Sequence, residues 1–205
     1  MAHALEAVPV RLLAYCLMPN HWHLILWPEQ KGQLGKFMHR LTMTHTRRYQ
    51  EHYHEVGYGH LYQGRFKSFP VQEDRHFLTV ARYVECNALR AGLAERAEQW
   101  LWSSLWRRTN PGERRSAGAD VGDAVERCDL RLSPWPVRRP ADYLQWVNDP
   151  QTPAEEQAVR LSITRGRPFG DTDWQARTTK RLGLESAYRP NGRPKKPQPR
   201  PKRGT

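Results

Sequence analysis

The sequence has no run of about 18 apolar residues that could cross a membrane as a helix. Its start lacks the charged segment, apolar run and small-residue cleavage site of a secretory leader. Both absences point to a soluble, cytoplasmic protein with no membrane partner. Cysteine is scarce: Cys16, Cys86 and Cys128 are odd in number, far apart and without paired metal-ligand spacing, so they read as reduced thiols. Acidic residues are in deficit, with 21 Asp and Glu against 33 Lys and Arg, which leaves a net charge of +12 and a pI near 10.1. Such a balance suits a polyanionic partner, and eight Trp and eight Tyr add faces on which bases can stack. Nucleic acid, and with it a nucleoid-associated location, is the first expectation. Basic charge alone is shared with ribosomal, membrane-surface and merely well-solvated proteins. At 205 residues, 38% of them apolar, the chain suits one ordinary domain with appendages.

What is present starts with a hairpin. Val10 to Met18 is rich in aliphatic and aromatic residues, Pro19-Asn20 marks a tight turn, and His21-Trp22-His23-Leu24-Ile25-Leu26 runs on to Pro28. Side chains alternate in a strand, so His21 and His23 share one face while Trp22, Leu24 and Leu26 share the other. With Cα atoms about 6.6 Å apart, two imidazoles on one face can converge on a divalent cation. A pair of partly exposed strand histidines is the alternative reading.

From Gln33 to about Tyr53, Leu34, Phe37, Met38, Leu41 and His45 recur at helical spacing. The other face of this predicted helix carries Arg40, Arg47 and Arg48, which are either phosphate contacts or a solvated surface. Gly57 to Phe69 mixes glycines with His60, Tyr62, Arg65 and Lys67. It suits contact with a nucleic-acid strand through Arg65 and Lys67, and Phe66 to Val71 can also form an edge strand. A further helix is predicted from Arg75 to Ala91, stopped by Gly92, with Phe77, Val80, Ala81, Val84 and Ala88 as its core stripe.

Tyr83 and Asn87 stand one turn apart on one flank of that helix. They read either as a boundary aromatic and a helix-end polar residue, or as chemistry. A tyrosine hydroxyl is a poor nucleophile until its proton is lost, and a phosphodiester resists attack until its oxygens are neutralised. Two imidazoles and the Asn87 amide oxygen around a metal leave open positions for a phosphate; an oxygen ligand with phosphate favours Mg or Mn. The product of attack is a 5′-phosphotyrosine.

Tyr15-Cys16-Leu17-Met18-Pro19-Asn20-His21-Trp22-His23-Leu24 resembles the histidine-hydrophobe-histidine signature of single-tyrosine transposases, in particular the REP-associated tyrosine transposases. Gly59-His60-Leu61-Tyr62-Gln63-Gly64-Arg65-Phe66-Lys67, Arg82-Tyr83-Val84-Glu85-Cys86-Asn87-Ala88-Leu89-Arg90-Ala91-Gly92-Leu93 and Trp100-Leu101-Trp102-Ser103-Ser104-Leu105 resemble that family's next blocks in order, covering roughly residues 8 to 106. The resemblance implies an α+β fold, a small antiparallel sheet flanked by helices (ferredoxin-like). It implies metal-dependent single-stranded DNA endonuclease and strand-transfer activity on hairpin DNA without ATP. Tyr83 would be the nucleophile, His21 and His23 the metal ligands, and Asn87 the residue that completes the site. A catalytically inactive, hairpin-binding descendant of a transposase is the alternative. Monomer and homodimer both remain open.

Family members begin with a further strand and most of a helix before the position of Met1, and that strand lies inside the sheet. The expectation is therefore a domain apparently lacking its first strand, with an exposed strand edge; either the gene start lies further upstream or the copy is decayed. Trp22 is large for the middle residue of the histidine motif, and Ala88 replaces the proline usual after the asparagine.

The division expected along the chain is a catalytic domain over 1–109, a linker over 110–139, a helical C-terminal region over 140–188 and a disordered basic tail over 189–205. Ala141 to Val147, Pro153 to Arg165 and Asp173 to Leu182 have helical patterns, with Gly183 as a stop. This appendage either adds DNA contacts or packs on the catalytic domain. The tail holds seven Lys or Arg, five prolines and no acids. Within it Gly192-Arg193-Pro194-Lys195-Lys196 resembles an AT-hook, which makes Arg193, Lys195 and Lys196 candidate DNA contacts.

Overall fold

The computed structural model describes residues 1–57, 59–112 and 130–190. Cys128, the AT-hook-like segment with Arg193, Lys195 and Lys196, and most of the expected linker and tail lie outside the described residues.

The chain opens with α1 (Ala2–Ala7), then β1 (Arg11–Leu17) and β2 (Trp22–Trp27). The two strands pair antiparallel, with Leu17 opposite Trp22 and Arg11 opposite Trp27. Pro19-Asn20 forms the loop, closed by the Met18 N–H donating to the His21 carbonyl at 2.8 Å. Six helices follow in the main: α2 (Gln33–His52), α3 (Arg75–Glu85), α5 (Ser104–Thr109), α6 (Tyr143–Asn148), α7 (Pro153–Arg165) and α8 (Thr172–Leu182), with the single turn α4 (Asn87–Arg90) directly after α3. The fold is α+β, a two-stranded antiparallel open sheet flanked by helices. Among the described residues no helix is long and apolar enough to cross a membrane.

Strand alternation divides the core in two. Trp22, Leu24 and Leu26 pack with Phe37, Met38 and Leu41 of α2 and with Ala4 of α1. On the opposite face Ile25 packs with Phe77, Val80 and Val84 of α3. A bulge between Leu12 and Ala14 disturbs this alternation on β1 and turns both Leu13 and Ala14 toward α3. Cys16 and Cys86 are free and buried.

The helix expected from Arg75 to Ala91 is broken in two. Asp74 caps α3 by accepting from the His76 backbone N–H at 2.8 Å, and the helix ends at Glu85. Cys86, at φ −85° and ψ 3°, separates it from α4, and Gly92 stands in the left-handed region at φ 69°.

The outer edge of β1 is not exposed, contrary to expectation. The Leu17 N–H donates to the Trp102 carbonyl at 2.9 Å, and the Leu17 carbonyl accepts from Trp100 Nε1 at 2.8 Å. The Tyr15 N–H donates to Ser104 Oγ at 2.9 Å. The Leu13 carbonyl accepts from Trp135 Nε1 at 2.8 Å and Arg108 Nη2 at 2.9 Å. Side-chain donors, the Ser104 hydroxyl oxygen and the Trp102 carbonyl thus satisfy backbone groups that a neighbouring strand would otherwise pair. Nor does Phe66 to Val71 form an edge strand. Pro70 has no N–H to give a ladder, and only a parallel bridge between Val71 and Phe169 remains.

The C-terminal helices pack on α3. A Thr152–Glu155 capping box opens α7 and Gly166 ends it; Val159 is fully buried in the same cluster as Phe77 and Tyr83. Before α8, Gly170 is held so tightly that a Cβ there would meet the Gln72 side chain and stand 2.6 Å from Trp174 Cε3.

Candidate active site

Tyr83 lies near the end of α3, the helix that covers the histidine face of the hairpin, and is 5% exposed. Its ring meets that of His23 edge-on at 5.8 Å, although 60 positions separate them in sequence. The His21 and His23 rings are 5.1 Å apart and nearly perpendicular. His21 precedes β2 and is exposed; its Nδ1 sits 2.7 Å from Asn20 Oδ1. The Nδ1–H tautomer donates to that oxygen and leaves Nε2 with its lone pair free. His23 is half-buried. Burial first, then the His21 imidazole and the Arg90 guanidinium, depress its pKa to about 4, so the ring is neutral near pH 7.

Asn87 opens α4 and is 5% exposed. Its Oδ1 accepts from Arg90 Nη2 at 2.8 Å, while its buried Nδ2 has no hydrogen-bond partner. The Arg90 guanidinium carbon stands 4.1 Å from the centroid of the Tyr83 ring. Tyr83 is therefore bracketed by an imidazole edge and a guanidinium. Among the described residues no hydrogen bond holds its hydroxyl, and Tyr83 lines a cavity of about 640 Å³ together with His23 and Lys67.

A buried carboxyl anchors this helix from behind. Glu85 has no exposed surface and accepts from Ser104 Oγ at 2.6 Å and from the Tyr143 hydroxyl at 2.8 Å. Burial raises the Glu85 pKa against the opposing pull of those hydrogen bonds. Burial and the neighbouring Glu85 push Tyr143 well above the usual phenol value, which keeps it a donor. α3, α5 and α6 thus meet at one carboxyl, and Ser104, which also takes the Tyr15 N–H, ties β1 to it.

The structure thus brings His23 against both His21 and Tyr83, and joins Asn87 to them through the Arg90 that covers the Tyr83 ring. It does not bring the candidate DNA contacts there as a group. Arg40, Arg47 and Arg48 are exposed on α2, which covers the other face of the sheet, and Arg47 pairs with Glu51 at 2.8 Å. Arg65 and Lys67 are exposed in the segment before α3, and Lys67 reaches the cavity beside Tyr83. Arg90 was not singled out from the sequence. Its spacing was the available signal: three residues after Asn87 and seven after Tyr83 place it beside both on a helical surface.

The donor set fits a divalent cation in part. Two imidazoles in contact offer two nitrogen ligands, but the Asn87 oxygen is already held by a cationic guanidinium, which opposes a metal there. Among the described residues no group of three His, Cys, Asp or Glu could hold a metal ion.

No curated protein and no solved structure matches the chain. Residues 1–87, which carry the hairpin, α2, Tyr83 and Asn87, match the family model for IS200-like transposases, so this part of the chain is transposase-like and its function is of the DNA-processing kind.

Proposed function

We propose that the protein cleaves and rejoins single-stranded, hairpin-bearing DNA with Tyr83 as nucleophile, as a REP-associated transposase would. The observation that carries this reading is the unpartnered Tyr83 hydroxyl at a cavity shared with His23, inside a segment matching transposases. The Tyr83 oxygen forms a bond to phosphorus as the bond from phosphorus to the 3′-oxygen breaks. The phenol proton leaves and the 3′-oxygen takes up a proton, giving a 5′-phosphotyrosine and a free 3′-hydroxyl. His23 and Arg90 hold the ring from two sides, so attack needs little reorientation. His21 and His23 would hold Mg or Mn, which when bound would supply Lewis-acid stabilisation of the phosphate. Asn87, with its oxygen on Arg90, positions that guanidinium. Arg40, Arg47, Arg48, Arg65 and Lys67 contribute phosphate contacts outside the reacting centre, as do Arg193, Lys195 and Lys196.

The test is incubation with a hairpin oligonucleotide carrying a single-stranded flank and Mg or Mn, followed by a denaturing gel. A covalent adduct that forms with the wild type and is lost in Tyr83→Phe is the expected result. Tight binding without an adduct in the wild type would instead identify an inactive hairpin-binding protein.

A further inference from the structure

The face of α3 and α4 next to Tyr83 and Asn87 presents Arg82, Cys86 and Arg90 at four-residue steps, and all three are engaged by one short segment, residues 149–156. Arg82 Nη2 donates to the Asp149 carbonyl at 2.8 Å and to the Pro150 carbonyl at 3.3 Å, and Arg82 Nη1 lies 3.6 Å from Glu155 Oε2. Gln151 Oε1 accepts from Cys86 Sγ at 3.5 Å and from Arg90 Nη1 at 3.3 Å. Arg90 Nε lies 3.5 Å from Glu156 Oε1. Arg90 differs from the other two because it alone also reaches across, to the Tyr83 ring and Asn87 Oδ1.

A guanidinium has five N–H donors. Gln151 takes one N–H of Arg90 Nη1, Asn87 takes one of Nη2, and Glu156 pairs with Nε at 3.5 Å, which leaves one N–H on each terminal nitrogen for a ligand. N–H groups on the two terminal nitrogens lie in one plane and can meet two oxygens of a phosphodiester. Arg90 retains partial solvent access, with 24% of its side chain exposed. A fork with spare donors, fixed over the face of a tyrosine whose hydroxyl is free, is suited to grip the phosphate that the tyrosine attacks.

We propose that Arg90 binds the scissile phosphate at Tyr83, and that Gln151 and Glu156 are positioning residues that hold its guanidinium there. The segment 149–156 is then a working part of the site, although it lies beyond the residues matched by the transposase family. This assignment rests on the Tyr83 reading above.

The experiment has two arms. In the first, adduct formation is measured as kcat and KM for wild type, Arg90→Gln, Arg90→Lys and Gln151→Met, each checked for folding by its thermal transition. Arg90→Gln is expected to lose about 100-fold in kcat, the scale of one lost donor to a developing charge. Arg90→Lys keeps the charge without the fork and is expected to lose about 10-fold. Gln151→Met is expected to lose a few-fold in kcat with KM little changed, a split that a merely structural role would not give. The second arm needs no cleavage: in Tyr83→Phe, hairpin affinity is followed against salt. Arg90→Gln is expected to flatten the log–log slope by about 0.7, one phosphate on a single strand, while Arg177→Gln, at an exposed position on α8 outside the cavity lining, leaves it unchanged. An active wild type whose Arg90→Gln variant stays within about threefold overturns the assignment and leaves the Tyr83 reading intact. If the wild type makes no adduct, the Tyr83 reading fails, and an unchanged salt slope then overturns the Arg90 assignment as well.

Discussion

The two edges of the hairpin are treated in opposite ways. Along β1, backbone groups of Leu13, Tyr15 and Leu17 are bonded to Trp135, Arg108, Ser104, Trp102 and Trp100, residues 83 to 122 positions away. Along β2, among the described residues, no backbone hydrogen bond reaches residues 22–27 except those to β1. There the strand borders the cavity of about 640 Å³ that holds Lys67 and Tyr83. One edge is bonded to the rest of the domain and the other borders open space. Sealing β1 fixes the hairpin under α3, which lets the histidine side stay open without the sheet losing its register.

The largest effect on this contrast is expected at Glu85. Glu85→Ala leaves the Ser104 and Tyr143 hydroxyls without their buried acceptor and should destabilise the protein by about 3 kcal/mol in urea unfolding at pH 7. A loss under about 1 kcal/mol would show that the carboxyl is not the junction of α3, α5 and α6. Ser104→Ala removes the acceptor of the Tyr15 N–H and one donor to Glu85, so a loss of about 2 kcal/mol is expected.

A smaller effect belongs to the open side and depends on pH. The folded-state pKa of His23 is depressed to about 4, below the value of 6.5 of an ordinary histidine. Between those values the unfolded chain binds the proton more readily, so stability falls as pH drops. The contribution is intact above pH 6.5 and is lost once pH has fallen through about 4. Between pH 7 and 4.5 the wild type should lose about 1–2 kcal/mol more than His23→Leu, whose unfolding curves cancel the contribution of Glu85 and other carboxyls. Equal acid sensitivity of the two proteins would contradict a half-buried, neutral His23.

The smallest effect on stability is expected at the cavity rim. Lys67→Ala should leave the thermal midpoint unchanged, since Lys67 is exposed and the structure gives it no ion pair among the described residues. Hairpin affinity should fall, with the salt slope flatter by about 0.7. A Lys67 variant that melts lower but binds DNA normally would reverse the assignment of roles to the two edges.

Much of this arrangement is legible in local patterns. The alternation from Trp22 to Leu26 sorts the side chains of β2 onto two faces, and His23 does lie opposite the apolar set that α2 covers. The stripe of Phe77, Val80, Ala81 and Val84 puts α3 against the sheet, and its period leaves Tyr83 on the flank toward the histidines. The helix break at Cys86 has no such signal, because neither glycine nor proline marks it. The exposed-edge expectation failed for a related reason: Trp100, Ser104 and Trp135 look like ordinary core or surface residues until their N–H and O–H groups are seen against a strand.

The sequence by itself determined the hairpin, the faces of its helices and the histidine pair, since each follows from spacings of two to four residues that fix which way a side chain points. Only the tertiary structure decided that β1 is sealed by side chains, that Tyr83 meets His23, and that Gln151 and Glu156 hold Arg90 over the tyrosine. Those contacts join groups some 60 to 120 positions apart, and hydrogen bonds of that kind depend on distance and direction in space, which no periodicity along the chain encodes.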